Sequence, residues 1–172
     1  FIKFNPDGSV SHEPILMEGK TYKKLQKNLL MFYTGTTRSA NTILAEQTKN
    51  ITSEDKAKNL LKMCGLAKDM KVALENNDIS SFGKILDEGW QLKKELASGI
   101  ANPAIDEAYE IAMKNGALGG KLLGAGGGGF LLFYCEEEKQ GQLKKALGLR
   151  ELDFTFERDG TSVIYIGDKY WD

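Results

Sequence analysis

Residues 119–129 read Gly119-Gly120-Lys121-Leu122-Leu123-Gly124-Ala125-Gly126-Gly127-Gly128-Gly129, and the next six are Phe130-Leu131-Leu132-Phe133-Tyr134-Cys135. A glycine run of this kind lets backbone approach a ligand closely and turn its N–H groups toward an anion. A flexible linker would be flanked by polar segments, whereas this run lies between two apolar ones. The expectation is a built loop feeding a buried strand. Gly124 to Gly129 formally satisfy G-x-G-x-x-G, but that dinucleotide fingerprint must open a helix, and here a strand follows. No Lys-Ser or Lys-Thr pair follows the glycines, which removes the P-loop reading as well.

Upstream of the loop, Asn102-Pro103 is a cap with proline at the first helical position. Ile105, Ala108, Tyr109 and Ala112 then make one apolar stripe that Gly116 ends. Ser53-Glu54-Asp55 caps an earlier helix on which Leu60, Met63, Cys64, Ala67, Met70 and Leu74 recur at helical spacing. Asp78 caps a second long helix carrying Phe82, Ile85, Leu86, Trp90 and Leu96. A short helix is expected around Tyr22 to Asn28, a core strand over Leu29 to Tyr33, and a helix from about Ser39 to Lys49. At the start of the chain, Phe1–Asn5 and Val10–Ile15 flank Pro6-Asp7-Gly8, a hairpin signal. Downstream of the loop come the strand Phe130–Cys135, a helix from about Glu137 to Leu147, and two strands, Asp153–Arg158 and Ser162–Ile166, around Asp159-Gly160. Strands and helices are interspersed with hairpins, so an α+β fold with a mainly antiparallel sheet is expected over residues 1–172 as one domain.

Composition narrows the function classes. The 172 residues are 41% hydrophobic and 27% charged, enough apolar mass for one core. A formal net charge of -1 offers no basic field for a phosphate backbone, so nucleic acid is not an expected partner. No window approaches a membrane span and no leader opens the chain, so neither membrane insertion nor secretion is expected. Cys64 and Cys135 are too few for a disulfide framework or a cysteine zinc site; they are expected as core thiols in a reducing cytoplasm. His12, the only histidine, sits on the opening hairpin and is assigned no metal or base role. Glu136-Glu137-Glu138 reads as a solvated helix start that complements the dipole. The chain opens directly on an alternating strand, which is expected to be the interior of a longer protein.

A second segment could carry chemistry. Phe32-Tyr33-Thr34-Gly35-Thr36-Thr37-Arg38-Ser39-Ala40 runs from a strand through hydroxyl residues into a helix. Free N–H groups at that helix start, with Thr34, Thr36, Thr37, Ser39 and the Arg38 guanidinium, could hold an anionic substrate group. The alternative is that Thr36 or Thr37 merely caps the helix and Arg38 is a surface charge. Trp90, Lys93 and Lys94 lie on adjacent turns, and Trp90 and Lys93 are secondary candidates for the substrate cleft. At helical spacing an aromatic is more often core, and lysines are more often solvated.

Lys121 to Gly129 resembles the third motif of the GHMP kinases, the superfamily of galactokinase, homoserine kinase, mevalonate kinase and phosphomevalonate kinase. Phe32 to Ala40 is similar, more narrowly, to the D-glycero-D-manno-heptose 7-phosphate kinases, as are Trp90-Gln91-Leu92-Lys93-Lys94 and Gly116 to Lys121. The resemblance implies a GHMP kinase C-terminal domain, ferredoxin-like, with helices packed on one face of the sheet. It implies an ATP- and magnesium-dependent kinase acting on a small-molecule sugar or sugar phosphate, with heptose 7-phosphate phosphorylated at the anomeric hydroxyl. It places the phosphate and substrate contacts on Thr34, Thr36, Thr37, Arg38, Ser39, Lys121, Gly124, Ala125, Gly126, Gly127, Gly128 and Gly129. The superfamily's Pro-x-x-x-Gly-Leu-Gly-Ser-Ser-Ala loop and catalytic aspartate have no match in these residues. They are expected in an N-terminal half of the same protein, which would also bind most of the ATP and magnesium. These 172 residues alone are therefore expected to be inactive. Two alternatives stay open: a galactokinase- or fucokinase-like enzyme, and a non-catalytic module that binds a metabolite or forms a homodimer.

Overall fold

The computed structural model describes residues 1–36, 39–157 and 160–163. Its centre is a four-stranded antiparallel sheet in the order β4-β5-β3-β6, formed by β3 (Leu29–Tyr33), β4 (Ala117–Leu122), β5 (Phe130–Cys135) and β6 (Arg150–Glu151). β5 pairs with β3 through Leu29 opposite Tyr134 to Tyr33 opposite Phe130, and with β4 through Ala117 opposite Cys135 to Leu122 opposite Leu131. Taken with the helices between them, these four strands follow the split βαβ, ferredoxin-like order. The expected α+β class is the one found.

Alternation along β3 and β5 sends side chains to two faces. Leu30, Phe32, Leu131, Phe133 and Cys135 enter the main core with Trp90, Tyr109, Ala112, Leu143 and Leu147. These come from α4 (Ser80–Lys94), α5 (Pro103–Lys114) and α6 (Glu137–Leu147), the principal helix layer. Leu29 and Tyr134 face the other way, into a smaller cluster with Leu25 of α1 (Gly19–Asn28), Leu74 of α3 (Glu54–Glu75) and Ile79. The second face is thus partly covered too. α2 (Ala40–Asn50) follows β3 and buries Ile43.

The caps read from sequence are largely in place. Asn102 accepts from the Ile105 N–H at 3.0 Å, with Pro103 at the first turn of α5, and Ser53 accepts from Lys56 at the start of α3. Asp78 stands one residue ahead of the N-cap position of α4. It accepts from the Ser80 and Ser81 N–H groups at 3.0 and 3.3 Å and from both hydroxyls. The opening hairpin forms over β1 (Ile2–Phe4) and β2 (Val10–His12), shorter than the alternation suggested.

α4 lies against β4 at a distance only glycine permits. A Cβ on Gly119 would stand 1.8 Å from the Gly83 carbonyl oxygen, and one on Gly83 2.7 Å from Leu118 Cβ. Tyr109 fastens the same junction: its hydroxyl donates to Asp87 at 2.7 Å and accepts from the Gly120 N–H at 3.1 Å. Burial, then Asp87, pushes that phenol well above its ordinary range. Gly119 and Gly120, the first residues of the glycine run, thus belong to a packed strand.

Two expectations are corrected. Cys64 is exposed on α3, because the helix buries a narrower stripe than the apolar spacing implied; Cys135 is buried as expected. Residues 153–157 form no strand. Phe154 and Phe156 alternate as a strand would, but both pack on the smaller cluster, Phe156 against Tyr22 at 5.2 Å between ring centres. The Phe156 N–H donates to the Gln26 side chain instead of a neighbouring strand. The expected Ser162–Ile166 strand lies partly outside the described residues, and Ser162 and Val163 are not in a sheet.

Gly119→Ala should therefore lower the unfolding free energy by about 3 kcal/mol, the upper end of ordinary overpacking, read from a urea titration. A second expectation concerns acid. The Ser80 and Ser81 hydrogen bonds hold the Asp78 carboxyl at about 2, below its ordinary value. A depressed carboxylate contributes stability above its unfolded value and loses it as pH falls through the folded one. Asp78→Ala should lower the urea midpoint above about pH 4 and flatten its decline toward about pH 2.

Candidate functional site

The glycine loop leaves β4 and returns as β5, with Leu123 N–H donating to the Phe130 carbonyl at 2.8 Å across its neck. It is anchored at three places. Gly127 N–H donates to the Ile100 carbonyl at 2.9 Å, and Asn102 Nδ2 approaches the Gly127 carbonyl at 3.5 Å, tying the loop to the α4–α5 connection. Gly129 N–H donates to the Thr36 carbonyl at 2.8 Å and to Thr34 Oγ1 at 3.0 Å, while Thr34 N–H donates to the Gly129 carbonyl at 2.9 Å. Lys93 Nζ donates to the Gly124 carbonyl at 2.5 Å.

These anchors demand glycine. A Cβ on Gly126 would stand 2.7 Å from Ile100 Cα, and one on Gly128 2.6 Å from the Thr36 carbonyl oxygen, both at positive φ. The result is a held loop rather than a slack one. The N–H groups of Gly124, Ala125, Gly126 and Gly128 have no acceptor among the described residues. Successive backbone N–H groups without partners can make an anion-binding concavity. Beside the loop lies a cavity of about 150 Å³ whose walls include Thr34, Thr36, Asn102, Ile105 and Leu131.

The structure brings Thr34 and Thr36, two of the candidates, to Gly128 and Gly129. Ser39 stands at the N-cap position of α2 and makes no side-chain cap bond. Thr37 and Arg38 lie outside the described residues. Lys121, Trp90 and Lys93 gather elsewhere, around a cavity of about 200 Å³ between α3 and α4. Trp90 is a core residue, 1% exposed. Burial, and next the charge of Lys121, lower the Lys93 ammonium to about 8. Lys93 joins the two regions through its bond to Gly124.

Sequence reasoning missed the loop's anchor on the α4–α5 connection. Asn102 reads fully as a helix cap, and only the fold shows its amide nitrogen also reaching the loop. Ile100 contributes through its carbonyl alone, which no residue type announces.

Residues 70–151 match the family described as GHMP kinases C terminal. The chain is 30% identical over 166 residues to the D-glycero-alpha-D-manno-heptose 7-phosphate kinase of Campylobacter jejuni, covering 93% of this chain and 48% of that protein. It is 36% identical over 110 residues to the L-fucokinase/L-fucose-1-P guanylyltransferase of Bacteroides fragilis, covering 63% of this chain and 12% of that protein. Its fold matches that of the L. major mevalonate kinase crystallised with R-mevalonate, with a TM-score of 0.66 at 16% identity over 83% of this chain and 42% of that one. The chain spans about half the length of the heptose phosphate kinase it matches.

The Thr34 hydroxyl bonds both the N–H and the carbonyl of Gly129. Thr34→Val should cost about 1 kcal/mol, the net value of such a bond, and speed amide exchange across residues 124–129 with little change in β3. Hydrogen exchange read by mass spectrometry checks this.

Proposed function

Because this chain carries a GHMP kinase C-terminal domain, we propose that it is the C-terminal part of an ATP-dependent kinase for a sugar or sugar phosphate. One observation carries the reading: an anchored glycine loop with four N–H groups unpartnered among the described residues, set against Thr34 and Thr36. Such donors suit the spread negative charge of a transferring phosphoryl group and need no reorganisation as it develops.

In this reading the acceptor is heptose 7-phosphate. Its anomeric hydroxyl oxygen attacks the γ-phosphorus of ATP, the bond from γ-phosphorus to the β,γ-bridging oxygen breaks, and ADP departs. The hydroxyl proton passes to a carboxylate base that lies, with the nucleotide loop, in sequence outside these residues. The glycine loop holds phosphate oxygens, while Arg38 and the start of α2 hold the 7-phosphate. Lys121 lines a different cavity and is left out of this assignment.

The residues present fit the phosphates better than the metal. The unpartnered amides suit an anion, whereas the described residues contain no group of three or more His, Cys, Asp or Glu placed to hold an ion. Magnesium would neutralise the phosphates when bound, and its ligands belong in this reading to the rest of the protein.

The fucokinase similarity favours one rival acceptor, fucose. A coupled ADP-release assay of the full-length protein with heptose 7-phosphate, fucose, galactose and mevalonate should show turnover of the heptose phosphate. Turnover of fucose alone would transfer the assignment, and silence on all four would favour a non-catalytic role. In the active protein, Arg38→Ala should raise KM for the phosphorylated acceptor about tenfold or more, the loss of one charge-assisted contact, with a smaller change in kcat. An unchanged KM would remove Arg38 from the site.

A further inference from the structure

Gly89 lies inside α4, where glycine costs about 1 kcal/mol relative to alanine. Packing does not require it. A Cβ there would meet only Leu66 Cδ1 at 3.8 Å, an ordinary contact, unlike the clash at Gly83. What the missing side chain leaves open is the cavity of about 200 Å³ between α3 and α4.

Met63, Leu66, Met70 and Leu86 line that cavity together with Trp90, and Lys93 and Lys121 are its two charged residues. Neither lysine has a carboxylate partner among the described residues. Lys93 has only the Gly124 carbonyl, and the Lys121 side chain bonds nothing described. Two neighbouring cations without a carboxylate partner among the described residues, over an apolar wall, make an incomplete arrangement. Buried polar groups are ordinarily satisfied and like charges repel.

We propose that the α3–α4 cavity is a ligand site separate from the glycine loop's unpartnered amides, taking a small aromatic carboxylate whose anionic end sits on Lys93 and Lys121. The ring lies among the thioethers of Met63 and Met70 and the Trp90 indole, surfaces that favour a flat polarisable body. An anion in the cavity competes with Gly124 for the Lys93 ammonium, so occupancy is felt at the start of the glycine loop. The proposal stands whether or not the kinase reading does, since it rests on binding alone.

The test titrates full-length protein with phenylacetate, phenyl phosphate, benzyl alcohol and acetate, read by Trp fluorescence and by calorimetry. Phenylacetate should bind saturably, and at least tenfold more tightly than benzyl alcohol, which lacks the charge, or acetate, which lacks the ring. Lys121→Met and the cavity-filling Gly89→Leu should each weaken it at least tenfold. Gly89→Ala should fold with an unchanged or higher Tm, which keeps the proposal testable if the leucine variant fails to fold. Tighter binding of phenyl phosphate would overturn the carboxylate assignment. Absent or unsaturable binding, wild-type affinity in Lys121→Met, or a lower Tm in Gly89→Ala would overturn the site itself.

Discussion

The close approach of α4 to β4 is the constraint on which the rest depends. Gly83 and Gly119 let a helix axis sit nearer a strand than any side chain would allow. That contact fixes α4 in depth and rotation, and everything it carries inherits the placement. Trp90 enters the core, Asp87 reaches the Tyr109 hydroxyl, and Lys93 arrives at the Gly124 carbonyl. Tyr109 in turn holds the Gly120 amide, so the strand leading into the glycine loop is gripped from both helices that flank it.

The loop depends on that grip because glycine has the most conformational freedom to lose. Its order comes from neighbours: the Ile100 carbonyl, Asn102, Thr34 and Thr36. These anchors engage only Gly127 and Gly129, Thr34 taking both the N–H and the carbonyl of Gly129. A rigid set of donors is worth more to a developing anion than a mobile one, since no ordering is left to be done during the reaction.

Much of this was legible in the sequence where the signal is local. Phe130–Cys135 and Leu29–Tyr33 are short apolar runs bounded by turn residues, and they are strands at those same bounds. Asn102-Pro103 marks a helix start because cap and proline both act within one turn. Thr34 and Thr36 could be named as candidates from their residue types, but not their contact with the glycines. What escaped was non-local. Gly83 reads as a poor helix residue until Gly119, distant in sequence, is found against it. Phe154 and Phe156 have strand spacing, yet packing against Tyr22 decided their course. Lys121 sits within the glycine motif but turns to the α3–α4 cavity, because alternation along β4 sets its direction.

The opening hairpin carries a consequence for handling. Among the described residues its two strands pair only with each other, and Ile2, Phe4 and Val10 are 63%, 78% and 55% exposed. Two strands with open edges and bare apolar side chains are an adhesive surface. In concentrated solutions of these 172 residues, self-association would begin at this hairpin, and a dimer formed there would reflect uncovered strand edges. Charged residues in place of Ile2 and Phe4 would make a better-behaved sample without touching the core or the loop.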